Sequence, residues 1–402
     1  MISSEYTRDL CVRDAQSKIL MLVIDGLGGL PDPETGKSEL ETANLPNLDE
    51  LANRSSCGLL SPLGPGFTPG SGPAHLALFG YDPWKTKIGR GALSALGLGL
   101  DFGEGDVAVR LNFCTVDENG NVTDRRAGRL STEVAQELCR QLNKIVIPGV
   151  EISVKAEMEY RAAVVFRGEG LSDGVGDSDP QVTGVPPNKL VASDSESFRM
   201  IDIANQFLQQ ARDILVEEAP ANMILMRGFG KYPELDSFQE VYGLKSLGIA
   251  GYPMYRGVAG AVGMDTVLVD WDLESELKLY EGLNSEYDYV YFHVKKTDSA
   301  GEDGDFNRKV ELLEEVDSLI PRLQKHSPDV FVVTGDHSTP AIMRSHSWHP
   351  VPTIISSSCS SHDSIKGFSE RSCRNGSLGT IPSASLMAVT LAHAKRLNKF
   401  GA

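Results

Sequence analysis

The sequence predicts an α/β fold, a mostly parallel sheet flanked by helices and interrupted by a smaller α+β insertion. Three observations carry this reading: apolar runs that stop at acidic residues, helical apolar spacing between them, and a change of pattern mid-chain. Lys18 to Ile24 leads into Asp25-Gly26-Leu27-Gly28-Gly29, and Tyr287 to Val294 into Lys295-Lys296-Thr297-Asp298. Asp329 to Thr334 leads into Gly335-Asp336-His337. Runs of this length, rich in β-branched and aromatic residues and apolar on both faces, read as buried parallel strands. Leu45 to Ala52 reads as a helix start. The span 307–324 places Val310, Leu312, Leu313, Val316, Leu319 and Ile320 at helical spacing. Ligands of such sheets gather beyond the carboxyl ends of the strands, and each of these three ends carries an Asp.

The middle of the chain reads differently. Spans 106–113, 150–154 and 160–166 look like strands, some of them alternating, and 131–142 and 199–217 look like helices. A chain of 402 residues exceeds the size at which one core stops growing. The expected division is therefore a discontinuous main domain, 1–100 with 241–402, and an inserted domain of 101–240. No internal repeat is evident, and Ser356 to Ser361 reads as a surface loop.

Composition narrows the partners. Apolar residues at 41% and charged residues at 23% are those of a globular chain rather than a disordered one. A net charge of −17 disfavours nucleic acid and anionic membrane, which both present phosphates. An anionic substrate would need a local cluster of Arg, Lys and metal. The six cysteines are scattered without a CxxC pair, as expected of thiols in a reducing compartment. The stretch from Met1 to Tyr6 lacks a basic region followed by an apolar one, and no run approaches the ~18 apolar residues that span a bilayer. A cytoplasmic enzyme is expected, without nucleic-acid or membrane partners.

The most informative short segment is Thr68-Pro69-Gly70-Ser71-Gly72-Pro73-Ala74-His75. Pro and Gly force a bend, after which Ala74 to Phe79 can start a helix. Ser71 then sits at a helix N-terminus, where free N–H groups favour an anion and a deprotonated hydroxyl can act as a nucleophile. The alternative is an N-cap serine in a turn. Asp25, Asp298, Glu302, Asp336, His337 and His346 are oxygen and nitrogen donors of the kind that bind Mn²⁺, Mg²⁺ or Zn²⁺. Each has an ordinary alternative: a helix cap for Asp25, a hydrophilic turn for Glu302, surface positions for His346 and His349. Together with a serine at a helix start, they favour a two-metal phosphoryl-transfer centre. Arg110, Arg125, Arg126, Arg129, Arg161 and Arg227 fall in the insertion, and guanidinium groups suit a small dianionic substrate. Lys295 and Lys296, beside Asp298, stand as phosphate contacts, as groups that tune the metal site, or as strand-end surface charges.

Several of these segments resemble one family. Leu22-Val23-Ile24-Asp25-Gly26, Thr68 to Ser71 through His75 to Pro83, and Arg90-Gly91 are similar to the archaeal-type cofactor-independent phosphoglycerate mutases. So are Glu159-Tyr160-Arg161, Gly170 to Asp173 through Asp179-Pro180, and Gly335-Asp336-His337-Ser338-Thr339-Pro340. The resemblance runs from about residue 18 to 354 and implies an alkaline-phosphatase-like metal domain split by a substrate-binding domain. It implies a phosphoserine on Ser71 during interconversion of 3- and 2-phosphoglycerate, with no 2,3-bisphosphoglycerate required. It assigns Asp25, Ser71, Asp336 and His337 to one metal and Asp298 and His346 to the other, His346 being preferred to His349 by its spacing to Val351-Pro352. Arg161 and Arg227 become the foremost substrate anchors, with Arg110, Asn112, Arg125 and Arg129 behind them.

One position departs from the family pattern. Asp298-Ser299-Ala300-Gly301-Glu302 has Glu where the family's Asp-x-x-x-His supplies a histidine. A carboxylate hardens the site toward Mn²⁺ or Mg²⁺ and away from Zn²⁺. It is also compatible with a related phosphotransferase or phosphatase acting on another small metabolite or alcohol, including the homoserine-kinase-like branch. A binding protein without turnover is the third reading, against which stand the retained Ser71, Asp336 and His337. Oligomeric state is not legible from the sequence.

Overall fold

A computed structural model describes residues 4–401; Ala402 and the Met1-Ile2-Ser3 part of the N-terminal stretch considered above lie outside the described residues. In chain order the strands are β1 (Ile19–Ile24), β2 (Ser56–Ser61), β3 (Val107–Val116), β4 (Val122–Asp124), β5 (Glu151–Met158), β6 (Arg161–Arg167) and β7 (Met223–Lys231). They continue with β8 (Ser246–Ile249), β9 (Asp265–Thr266), β10 (Tyr289–Val294), β11 (Val330–Thr334), β12 (Val351–Ser357) and β13 (Gly379–Pro382). They divide between two compact units. The first is Met1–Lys87, Asp236–Tyr252 and Val262–Ala402, and the second is Ile88–Leu235 with Pro253–Ala261.

In the first unit eight strands form a sheet in the order β13-β2-β12-β11-β1-β10-β8-β9. Only the pairings of β12 are antiparallel. The apolar runs read as strands are buried throughout in β1, β10 and β11, as central parallel strands covered on both faces must be. Leu22, Ile24, Phe292 and Val333 share a core with Leu313, Val316 and Ile320, the apolar stripe of helix Phe306–Gln324. Asp305 caps that helix by accepting from the Arg308 N–H. Parallel register pairs Ile24 with Val294 and Val23 with Thr334, so the carboxyl ends of β1, β10 and β11 emerge side by side. Ser356 and Ser357 close β12 instead of belonging to the loop expected there.

The second unit is built on β3, which pairs antiparallel with β6, β7 and, at its end, β4; β5 lies beyond β6. Alternation along β3 separates two faces. Val107, Val109, Leu111 and Phe113 enter a core with Leu138, Met200 and Phe207 from helices Thr132–Leu142 and Phe198–Leu215. The opposite face carries Ala108, Arg110 and Asn112. The unit's borders differ from 101–240 because helices Arg90–Gly97 and Pro253–Ala261 pack here. Gly97 and Gly257 permit that packing: a Cβ on either would collide with a backbone carbonyl, of Pro253 and Leu93 respectively.

Candidate active site

Three central parallel strands deliver the acidic groups to the carboxyl-terminal end of the first unit's sheet. Asp25 follows β1 directly, Asp336 follows β11 by two residues, and Asp298 lies in the first turn of helix Lys296–Asp303 after β10. Gly26, at φ +64°, lets the chain turn here; a Cβ on it would come within 2.7 Å of Thr339 Oγ1 and 2.9 Å of the Asp298 Cα. Asp25, Asp298, Asp336 and His337 are all buried. Asp25, Asp336 and His337 bring donor atoms within 4.8 Å of one another, as do Asp298, His337 and His346, so His337 joins two groups. Its Nε2 lies 3.5 Å from Asp25 Oδ1, 3.1 Å from Asp336 Oδ2 and 3.3 Å from Ser71 Oγ. His346 Nε2 lies 3.5 Å from Asp298 Oδ1 and 3.6 Å from Glu302 Oε1, and its ring stacks on His337 at 3.7 Å.

Ser71 is the first residue of helix Ser71–Leu78. The helix begins three residues before Ala74, and Gly70, not Ser71, is its N-cap, so the capping alternative for the serine falls away. The hydroxyl is free of a backbone role and points toward His337. Glu302 is likewise a helical residue and not part of a turn. Its side chain remains 53% exposed, beside His346 at the margin of the cluster. His349 lies apart, its Nδ1 3.1 Å from Ser347 Oγ and its ring stacked on Trp348.

The donor set fits a cation. Among the described residues, Asp25 Oδ1 and Oδ2 and Asp336 Oδ2 are buried without a hydrogen bond, a costly state for carboxylate oxygens unless positive charge lies between them. Lys295 supplies some of it, ion-paired with Asp298 and 3.3 Å from Asp25 Oδ2. Burial works to raise the Asp25 carboxyl, but Lys295, His293 and His337 outweigh it and hold Asp25 well below the usual carboxylate range. Burial together with Asp25 and Asp298 pushes Asp336 well above that range. Burial keeps His337 neutral, in the state in which imidazole ligates metals.

A buried layer beneath these groups was not legible in the sequence. His75 Nδ1 lies 2.8 Å from the Ser71 carbonyl oxygen and 3.4 Å from Asp336 Oδ2, and burial drives its pKa down to about 3. His293 Nε2 lies 3.5 Å from Asp25 Oδ2. The His75–Ser71 spacing of four residues within one helix was the available signal; His293, inside an apolar strand, offered none.

In the second unit, strand register gathers the polar residues. Asn112 is paired with Arg161 across β3 and β6, and Arg110 with Arg227 across β3 and β7. Directly paired residues share a face, so these four stand together. Arg110 Nε and Asn112 Oδ1 are buried without hydrogen-bond partners among the described residues. Arg90, not singled out as a site residue from the sequence, belongs beside them: burial and then the Arg227 and Arg110 guanidiniums lower its pKa. Crowded guanidiniums of this kind call for an anion. Arg125 is forked onto Asp179 at 2.9 and 2.7 Å, and the same carboxylate lies 3.2 Å from Arg227. Arg129 is exposed at the end of the short 3-10 helix Ala127–Arg129, at φ +53°, and lies off the sheet, and Arg126 is exposed nearby. Neither joins the four-residue face.

The family model described as 2,3-bisphosphoglycerate-independent phosphoglycerate mutase matches residues 52–222. A probable enzyme of that name from Thermus thermophilus is 50% identical over 391 residues, covering 96% of each chain. One from Deinococcus radiodurans is 46% identical, covering 97% of each. Among solved structures, the cofactor-independent phosphoglycerate mutase of Thermoplasma acidophilum is 31% identical with a TM-score of 0.70, covering 94% of this chain and all of that one. A Pyrococcus horikoshii protein, also 31% identical, reaches 0.82 over 96% of this chain and all of its own. Identity at this level over nearly full length leaves one conclusion: the chain belongs to the 2,3-bisphosphoglycerate-independent phosphoglycerate mutase family.

Proposed function

We propose that the chain interconverts 3-phosphoglycerate and 2-phosphoglycerate, with Ser71 accepting and returning the phosphoryl group. The observation that supports this most is the Ser71 hydroxyl at 3.3 Å from His337 Nε2, beside Asp25 Oδ1 and Asp336 Oδ2, which make no hydrogen bond among the described residues. Asp25, Ser71, Asp336 and His337 would hold one divalent cation, and Asp298 and His346 the other, with Glu302 at its margin. Mn²⁺ or Mg²⁺ suits this oxygen-rich set better than Zn²⁺. Bound there, the cations supply Lewis acidity that favours loss of the serine proton and offsets phosphoryl charge.

The residues then act in turn. Ser71 Oγ gives up its proton and attacks phosphorus in line; the Oγ–P bond forms as the bond to the glycerate 3-oxygen breaks, and that oxygen takes up one proton in exchange. The 2-hydroxyl later gives up its proton as it attacks the phosphoserine; its O–P bond forms as the Oγ–P bond breaks, and the released Ser71 oxygen is reprotonated. Backbone N–H groups at the N-terminus of helix Ser71–Leu78 would favour the phosphoryl anion carried by Ser71. Arg110, Asn112, Arg161 and Arg227, with Arg90, are assigned to anionic and hydroxyl groups of the substrate. A cytoplasmic location accords with six free thiols, four of them buried. Among the described residues, no helix is long and apolar enough to cross a membrane.

The test is incubation of Mn²⁺-loaded protein with 3-phosphoglycerate, resolving the products. Formation of 2-phosphoglycerate without added bisphosphoglycerate is expected. Inorganic phosphate alone would replace the mutase reading with a phosphatase, and a nucleotide requirement would favour the kinase-like branch. Glu302→His should shift the Zn²⁺-over-Mn²⁺ preference by on the order of tenfold, read as metal content after dialysis against both ions. Unchanged metal content would remove Glu302 from the site.

A further inference from the structure

Lys309, on helix Phe306–Gln324, is fully buried and has no part in the chemistry above. An ammonium group taken out of water must be paired and hydrogen-bonded to be tolerated. Its Nζ donates to the Gly28 carbonyl at 3.0 Å and the Thr339 carbonyl at 2.9 Å, and lies 3.8 Å from Glu39 Oε1. Gly28 belongs to the loop after β1, which carries Asp25, and Thr339 to the loop after β11, which carries Asp336 and His337. Glu39 Oε1 also accepts from the Ala341 N–H at 2.8 Å, and the Thr339 N–H donates to the Gly28 carbonyl at 3.0 Å. One buried ion pair thus ties the two loops together at Thr339.

The Thr339 side chain continues the linkage. Its Oγ1 donates to Asp298 Oδ1 at 2.6 Å and lies 3.0 Å from His337 Nδ1. A hydroxyl has one proton, and here the carboxylate receives it. Toward His337 the hydroxyl can only accept, which puts the imidazole proton on Nδ1. Nε2 is left with its lone pair facing Ser71, Asp25 and Asp336. We propose that Thr339, clamped by Lys309 and Glu39, is a positioning residue that holds His337 in the Nδ1–H tautomer and so orients Nε2 as a metal ligand. The inference rests on the metal reading of the same site and adds the residues that set its geometry.

The test is Mn²⁺ titration of the metal-free protein, which reads affinity without turnover. Thr339→Val should weaken binding roughly 10- to 100-fold, the usual scale for loss of a ligand's outer partner, and Thr339→Ser should restore it to within about twofold. Lys309→Met combined with Glu39→Gln removes both charges of the clamp, leaves the nearby Glu370 carboxyl its Gly29 N–H and Ser38 hydroxyl donors, and should weaken binding in the same direction. Leu323→Ala, a cavity in the apolar core, should lower thermal stability and leave affinity unchanged. Affinity retained in Thr339→Val, or lost equally in Thr339→Ser and Leu323→Ala, would overturn the positioning role while the metal reading stands. Absence of Mn²⁺ binding by the unaltered chain would overturn both. The Thr339 pair decides the matter even where the clamp variant does not fold.

Discussion

Ser71→Ala is expected to abolish phosphoserine formation and lower turnover by roughly four orders of magnitude or more, the scale on which loss of a catalytic nucleophile is felt. The reason lies in where the hydroxyl is not used. Gly70 caps the helix, so among the described residues Ser71 Oγ satisfies no backbone N–H, and it lies 3.3 Å from His337 Nε2. Alanine is a better helix former than serine, so the variant should fold and melt at a temperature close to that of the unaltered chain. Mass spectrometry of protein quenched during turnover would detect phosphate on Ser71 in the parent and none in the variant. A variant that still turned over at more than a few per cent of the parent rate would remove Ser71 as the nucleophile.

Asp336→Asn should produce two effects of opposite sign. In the metal-free chain the Asp336 carboxyl is fully buried, and burial together with Asp25 and Asp298 works against its charge. Asparagine has nearly the same shape and no charge, and its amide can keep the acceptor that meets the Gly26 N–H at 3.2 Å. The metal-free variant should therefore melt at or above the temperature of the parent. With Mn²⁺ the order reverses. At a hundredfold excess over its dissociation constant, a ligand that binds only the folded state stabilises it by about 2.7 kcal/mol. The variant, lacking one anionic ligand, should lose most of that gain and most of its turnover. Thermal melts with and without Mn²⁺ read both signs. Equal Mn²⁺ stabilisation of variant and parent would take Asp336 out of the metal centre.

Glu302 shows where family likeness and geometry divide the work. The sequence marks it as a departure from the Asp-x-x-x-His pattern, and only the tertiary structure leaves it half-exposed beside His346 instead of buried within the cluster. Arg125 and Arg129 show the reverse. Both look like substrate anchors in sequence, yet Arg125 is forked onto an Asp179 carboxylate that it shares with Arg227, and Arg129 is exposed at the end of a short 3-10 helix. Composition can announce an excess of guanidinium groups in an acidic chain, but it cannot say which of them are already paired.

What the sequence determined by itself was local: buried strands from continuous apolar runs, helices from their spacing, an interrupted sheet, and acidic residues where three strands stop. These follow from periodicity and burial, which every residue carries independently of its distant neighbours. Tertiary structure alone decided that Ser71 meets His337 across 266 positions, that Arg110, Asn112, Arg161 and Arg227 share a face, and that His75, His293, Thr339 and Lys309 lie beneath the cluster. Strand register and loop packing set those meetings. A buried polar side chain has no periodic signature, because its partners come from remote parts of the chain and appear only once the backbone has closed around them.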